Sequence, residues 1–84
     1  MNREQLIKEF VESKREQFCE TTLKIYEQRI KRILDKVEND ITDSKLNTAL
    51  YLVDKERELT FQSWKVYLAV LISFKRWYFE KENI

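Results

Sequence analysis

Apolar residues recur at steps of three and four along four stretches of the chain, and each stretch predicts a helix. The longest, Thr60 to Phe79, carries Trp64, Tyr67, Leu68, Leu71, Phe74 and Tyr78 along one side and Val66, Val70 and Trp77 along a second. Two stripes predict two packing neighbours. What stays polar is a narrow strip of Lys65, Ser73, Arg76 and Glu80 with Ala69 between them, and a working surface on this helix is expected there.

The other three stretches are amphipathic. A first helix is predicted to start after Asn2, whose side chain can accept from the backbone amide of Gln5. It buries Leu6, Ile7, Phe10 and Val11 and turns Lys8, Glu9, Glu12, Arg15 and Glu16 to water, with Phe18 anchoring the following turn. A second helix, about 20–38, places Leu23, Tyr26, Ile30, Ile33, Leu34 and Val37 on one stripe, with Cys19 or Thr21 as its cap. Its opposite side holds Lys24, Gln28, Arg29, Lys31, Arg32 and Lys36, diluted by Glu27 and Asp35, with Ile25 exposed among them and Glu27 spaced to pair with Lys31. Thr42 is set to cap a third helix, about 43–57, with Asp43 favoured by the helix dipole and Ile41 stapling onto Leu46. Thr60 and Leu59 repeat the device for the fourth, with Leu59 packing on Trp64. Short loops make consecutive helices neighbours, so the fold class is all-α, a compact four-helix bundle.

Composition narrows the chemistry. One cysteine, no histidine, no glycine and no proline in 84 residues exclude an internal disulfide and a Cys/His metal cluster, and point to a reducing, intracellular setting. The run Val66 to Phe74 is broken by Ser73 and closed by Lys75 and Arg76, short of the roughly 20 apolar residues a membrane span needs. No signal peptide is visible after Met1. General acid–base catalysis most often uses histidine, and Cys19, although a helix start favours a thiolate, has none to activate it. No catalytic group and no cofactor are expected. The aromatic residues of the last helix sit at core spacing rather than as a base-stacking platform, Trp77 being the exception. A net charge of +1 leaves any basic surface to be made by folding. Residues 59–84 lean positive, with Lys65, Lys75, Arg76 and Lys81 against Glu80 and Glu82.

The order of signals resembles the N-terminal core-binding domain of phage integrases and other tyrosine recombinases. Phe18-Cys19-Glu20-Thr21-Thr22-Leu23 followed by Tyr26, Ile30 and Leu34 is similar to that family's opening of its second helix. Asp40-Ile41-Thr42 followed by Leu46 and Leu50 resembles the entry to its third. Leu59-Thr60 with Ser63-Trp64, Leu68, Leu71, Phe74 and the closing Glu82-Asn83-Ile84 resembles its fourth. The sequence departs from the family in Cys19 for the usual serine, Lys75 for a second aromatic, Tyr67 at a position often basic, and a missing glycine near Asn83.

The resemblance implies a SAM-like bundle of orthogonally packed helical hairpins that forms one DNA-binding domain over residues 1–84. It would clamp the core site of double-stranded DNA with its second and fourth helices. Strand cleavage would belong to a separate C-terminal catalytic domain expected beyond this chain, and other recombinase protomers would be partners on the DNA. The setting it implies is the cytoplasm of a bacterium, encoded there or by a phage, at the nucleoid when bound. Joined with the polar strips, it assigns phosphate contacts to Thr21, Thr22, Lys24, Gln28, Arg29 and Lys31 on the second helix and Gln62, Lys65, Ser73 and Arg76 on the fourth, led by Lys24 and Lys65. Gln28 or Gln62 could read base edges. The alternative is a helical protein-interaction module or small homodimer, with Ile25, Val66 and Trp77 as its contact surface.

Overall fold

A computed structural model of the chain describes residues 2–81. Its four helices are α1 (Arg3–Ser13), α2 (Glu20–Leu34), α3 (Asp43–Arg57) and α4 (Phe61–Lys81), and the all-α four-helix bundle expected from the pattern is what forms. The body is flattened, 31 × 30 × 19 Å. α2 and α4 touch each other and both remaining helices, whereas α1 and α3 do not meet among the described residues. The bundle is therefore a central pair with one helix on either side.

Three of the four starts are capped as the sequence predicts. Gln5 N donates to Asn2 Oδ1 at 2.7 Å, Lys45 N to Thr42 Oγ1 at 3.1 Å and Ser63 N to Thr60 Oγ1 at 3.2 Å. At α2 the cap position is Cys19, whose side chain makes no capping hydrogen bond. α2 also stops at Leu34, short of the expected 38. After Asp35 the bonds tighten to i→i+3, from Lys36 N to Ile33 O and from Val37 N to Leu34 O, both 3.0 Å. Val37 is still buried, so the apolar period outlasts the helix. The end is fixed from α1: Arg3 donates to Leu34 O at 3.0 Å and to Asn39 O at 2.8 Å. Without glycine, the left-handed turns fall to Asn39 (φ 61°) after α2 and Glu58 (φ 50°) after α3.

Phe10 is the centre of the core. Fully buried, its ring stands edge-on to Phe74 at 5.2 Å and lies 5.5 Å from Trp77 and 6.2 Å from Tyr26, so one α1 side chain joins α2 to α4. α3 closes the other side with Leu46, Ala49, Leu50 and Val53. Phe18 rests on Tyr26 at 4.9 Å and anchors the α1–α2 turn.

The outward face of α4 departs from expectation. Three helices pack on α4 rather than two, and they leave exposed the ridge Gln62, Lys65, Ala69, Ile72, Arg76 and Glu80, with Val66 beside it. These positions follow one another at helical steps. Ile72 falls in the middle of the ridge and is 44% exposed, while Ser73, one residue on, is half-buried. At the helix start Phe61 is 69% exposed and stacks on Trp64. Ile25 and Trp77, expected on the surface, are half-buried: Trp77 packs on Phe10 and Phe74, and Ile25 falls in the row of α2 that includes Arg29 and Arg32 and borders α4. No described helix is long and apolar enough to cross a membrane.

Candidate functional site

The polar side of α2 divides into two flanks. Gln28 and Lys31 face α1 across a shallow groove shared with Glu4, Ile7, Lys8 and Glu27. Arg29 and Arg32, at an i,i+3 spacing, face α4 and meet at Tyr67. Arg32 Nη1 donates to Tyr67 Oη at 2.8 Å, and the Arg29 guanidinium lies over the Tyr67 ring, 5.1 Å from its centroid. Tyr67 is 1% exposed, so its hydroxyl needs a partner and its ring offers a face. The two contacts contribute about 1.5–3 kcal/mol for a hydrogen bond from a charged donor and ~0.5–2 kcal/mol for the cation over the ring. Against them stands Arg29 Nε, which is buried with no acceptor.

Thr21 and Lys24 are exposed, Lys24 in the same row as Gln28 and Lys31. Thr22 is half-buried and its Oγ1 lies 3.5 Å from Cys19 Sγ, so its hydroxyl serves the helix start rather than the outer surface. That hydroxyl, followed by backbone amides, holds the exposed Cys19 thiol below the ordinary thiol range. On α4, Gln62, Lys65 and Arg76 are exposed on the ridge, with the Lys65 ammonium over the Phe61 ring at 5.3 Å, and Ser73 is set back.

The seam also fixes which residues share an end. Tyr67 lies beside Arg29 and Arg32, while Phe10 draws Tyr26 towards Phe74 and Trp77. Earlier residues of α2 therefore sit beside later residues of α4. Lys24 belongs with Arg76 at one end, and Lys65 with Arg29 and Arg32 at the other.

Ion pairing with described carboxylates occupies four of the sixteen cations and leaves the candidate ones among those outside it. Among the described residues the salt bridges are Arg15 with Glu12 and Glu20, Lys36 with Glu56, Lys75 with Asp43 and Lys81 with Glu9. None involves Lys24, Arg29, Lys31, Arg32, Lys65 or Arg76, and the expected Glu27–Lys31 pair does not form. No described cluster of three or more Cys, Asp or Glu residues could hold a metal ion. Sequence reasoning left Arg32 and Tyr67 out of the site. The available signal was a tyrosine in an otherwise aliphatic and phenylalanine core row, because a buried hydroxyl has to be satisfied by something polar across the interface.

Compared with family models, with curated proteins and with solved structures, the chain matches none.

Proposed function

We propose that the chain is a DNA-binding module that lays the α2–α4 side of its bundle along a duplex backbone. The observation that carries this is the Arg29–Arg32 pair held at Tyr67 between the two helices, with Lys24 exposed on α2 and Lys65 and Arg76 exposed on the ridge of α4, none of them in a salt bridge with a described carboxylate. Phosphate contacts of this kind release counterions and give affinity without sequence information. The resemblance of the three helix openings to tyrosine recombinases supplies the context: a core-binding domain in the cytoplasm of a bacterium, holding the core site for a catalytic domain on a separate part of the protein and meeting other protomers on DNA.

Mobility shift with an attachment-site duplex at two salt concentrations tests the proposal. The expected result is a dissociation constant of about 10⁻⁴–10⁻⁶ M near physiological salt that tightens as salt is lowered. Lys24→Glu and Lys65→Glu should each weaken binding on any duplex. Absence of a shift at about 50 mM salt ends the reading.

A second reading, a helical protein-interaction module or small homodimer, is favoured by a different observation. Phe61, Val66 and Ile72 are exposed on α4, at 69%, 39% and 44%. Its contact surface is the side of α4 that Phe61 and Ile72 share, with Val66 round the helix from them, in place of Ile25 and Trp77. Sedimentation of the wild type and of Ile72→Glu separates the two, because only this reading has the substitution change the mass in solution.

A further inference from the structure

We infer that Arg29, Arg32 and Tyr67 form one phosphodiester-binding site, in which a buried tyrosine presents two guanidinium groups to a single backbone phosphate. The inference rests on the DNA reading and deepens it, because Arg32 and Tyr67 have no part in the sequence-derived interface.

Three observations meet at this place. The guanidinium groups are neighbours on one helix, an i,i+3 pair whose like charges repel unless something holds them. Tyr67 holds them, one through its hydroxyl at 2.8 Å and one over its ring at 5.1 Å. Neither guanidinium is in a salt bridge with a described carboxylate, although Asp35 and Glu56 line the same small cleft as Arg32, with Glu56 taken by Lys36. Arg29 is also partly desolvated, with Nε buried and unpartnered and Nη1 only 3.5 Å from Gln28 Oε1. A half-buried cation with an unspent donor retains a cost that an anion placed against its outer edge would offset.

The chemistry selects phosphate. A guanidinium meets a tetrahedral oxyanion through two parallel N–H donors, and two of them can share its oxygens. Tyr67 is a positioning residue, since its hydroxyl is spent on Arg32 and its ring lies beneath Arg29.

The test follows the arginine Nε–Hε resonances of the folded chain by NMR during titration with a duplex and, separately, with inorganic phosphate. It is paired with duplex binding across salt concentrations for Arg29→Gln, Arg32→Gln and Tyr67→Phe. The expected result is a saturable shift of the Arg29 and Arg32 signals with the duplex, and a salt slope lowered in each arginine variant by a part of the roughly one unit that their shared phosphate contributes. Tyr67→Phe should weaken binding several-fold with the slope unchanged, because it removes no charge. If the duplex binds but both resonances stay still and both slopes match wild type, the assignment fails and the DNA reading stands. If inorganic phosphate shifts the signals and the duplex does not, the assignment to a DNA backbone and the DNA reading fail together.

Discussion

Replacing Arg3 with methionine tests the contact that ties the start of α1 to the backbone at the end of α2. The arginine stands in the first turn of α1 yet donates to Leu34 O and Asn39 O, at 3.0 and 2.8 Å, across 31 and 36 residues. Leu34 O already accepts from Val37 N, so Arg3 is its second donor, while Asn39 O lies where the chain has turned left-handed. Methionine keeps the aliphatic stem and removes both donors. A hydrogen bond from a charged group contributes about 1.5–3 kcal/mol when partly buried and less when exposed, so the pair should be worth ~2–3 kcal/mol. In a domain this size that lowers Tm by about 8–24 °C. Arg3→Lys, able to reach one carbonyl at a time, should fall between. Thermal and urea unfolding followed by circular dichroism give the totals, and hydrogen exchange gives the location, with protection lost first at the amides of Lys36 and Val37. A loss under ~0.5 kcal/mol, the level of an ordinary surface substitution, would refute the reasoning.

Two further perturbations probe local terms. Glu58→Gly should raise the urea midpoint by the equivalent of about 0.5–1 kcal/mol with the m-value unchanged, because the C-cap of α3 holds a side chain at φ 50°, ψ 57°; an unchanged or lowered midpoint would show the left-handed cap costs nothing here. The Lys36 ammonium holds the Glu56 carboxyl below its ordinary pKa, and Gln5, then Lys81, do the same for Glu9. A carboxyl whose pKa is lowered on folding adds stability that is present above its unfolded value and lost as pH falls through the folded one. Glu56→Gln should therefore shrink the fall in Tm between about pH 6 and pH 3, and an undiminished fall would assign acid sensitivity to other groups.

How much of this could be read from the residues depended on how far each cause reaches. The caps at Asn2, Thr42 and Thr60 act over three residues, and the boundaries of α3 follow from Thr42 and the run to Arg57. The end of α2 was misplaced because its cause, Arg3, lies 31 residues away from Leu34. On α4 apolar residues fall on nearly every side, so periodicity alone could not say that three neighbours leave Ile72 out. The polar face of α2 was legible as a face. Its division was not, because Arg29 and Lys31 go to different flanks only once α1 and α4 are in place.

That division explains how a chain of net charge +1 could hold a polyanion. Four of the cations, Arg15, Lys36, Lys75 and Lys81, are joined to carboxylates and tie helices or turns together. Exposed pairs of this kind add little stability, but they hold those carboxylates on other cations, Glu56 on Lys36 even within the cleft beside Arg32. Lys24, Arg29, Arg32, Lys65 and Arg76 are left for the α2–α4 side. Opposing them along the same two helices are Glu27, Asp35 and Glu80, which are exposed and outside the described salt bridges. At about 0.15 M salt the Debye length is ~8 Å, so a phosphate held at Tyr67 feels the two arginines beside it, and Asp35 in the cleft next to Arg32, far more than the charge elsewhere on the molecule. Affinity would then be set by local pairs rather than by the charge of the whole molecule. A substitution that changes total charge far from the seam should alter binding much less than one that moves a guanidinium off Tyr67 at constant charge.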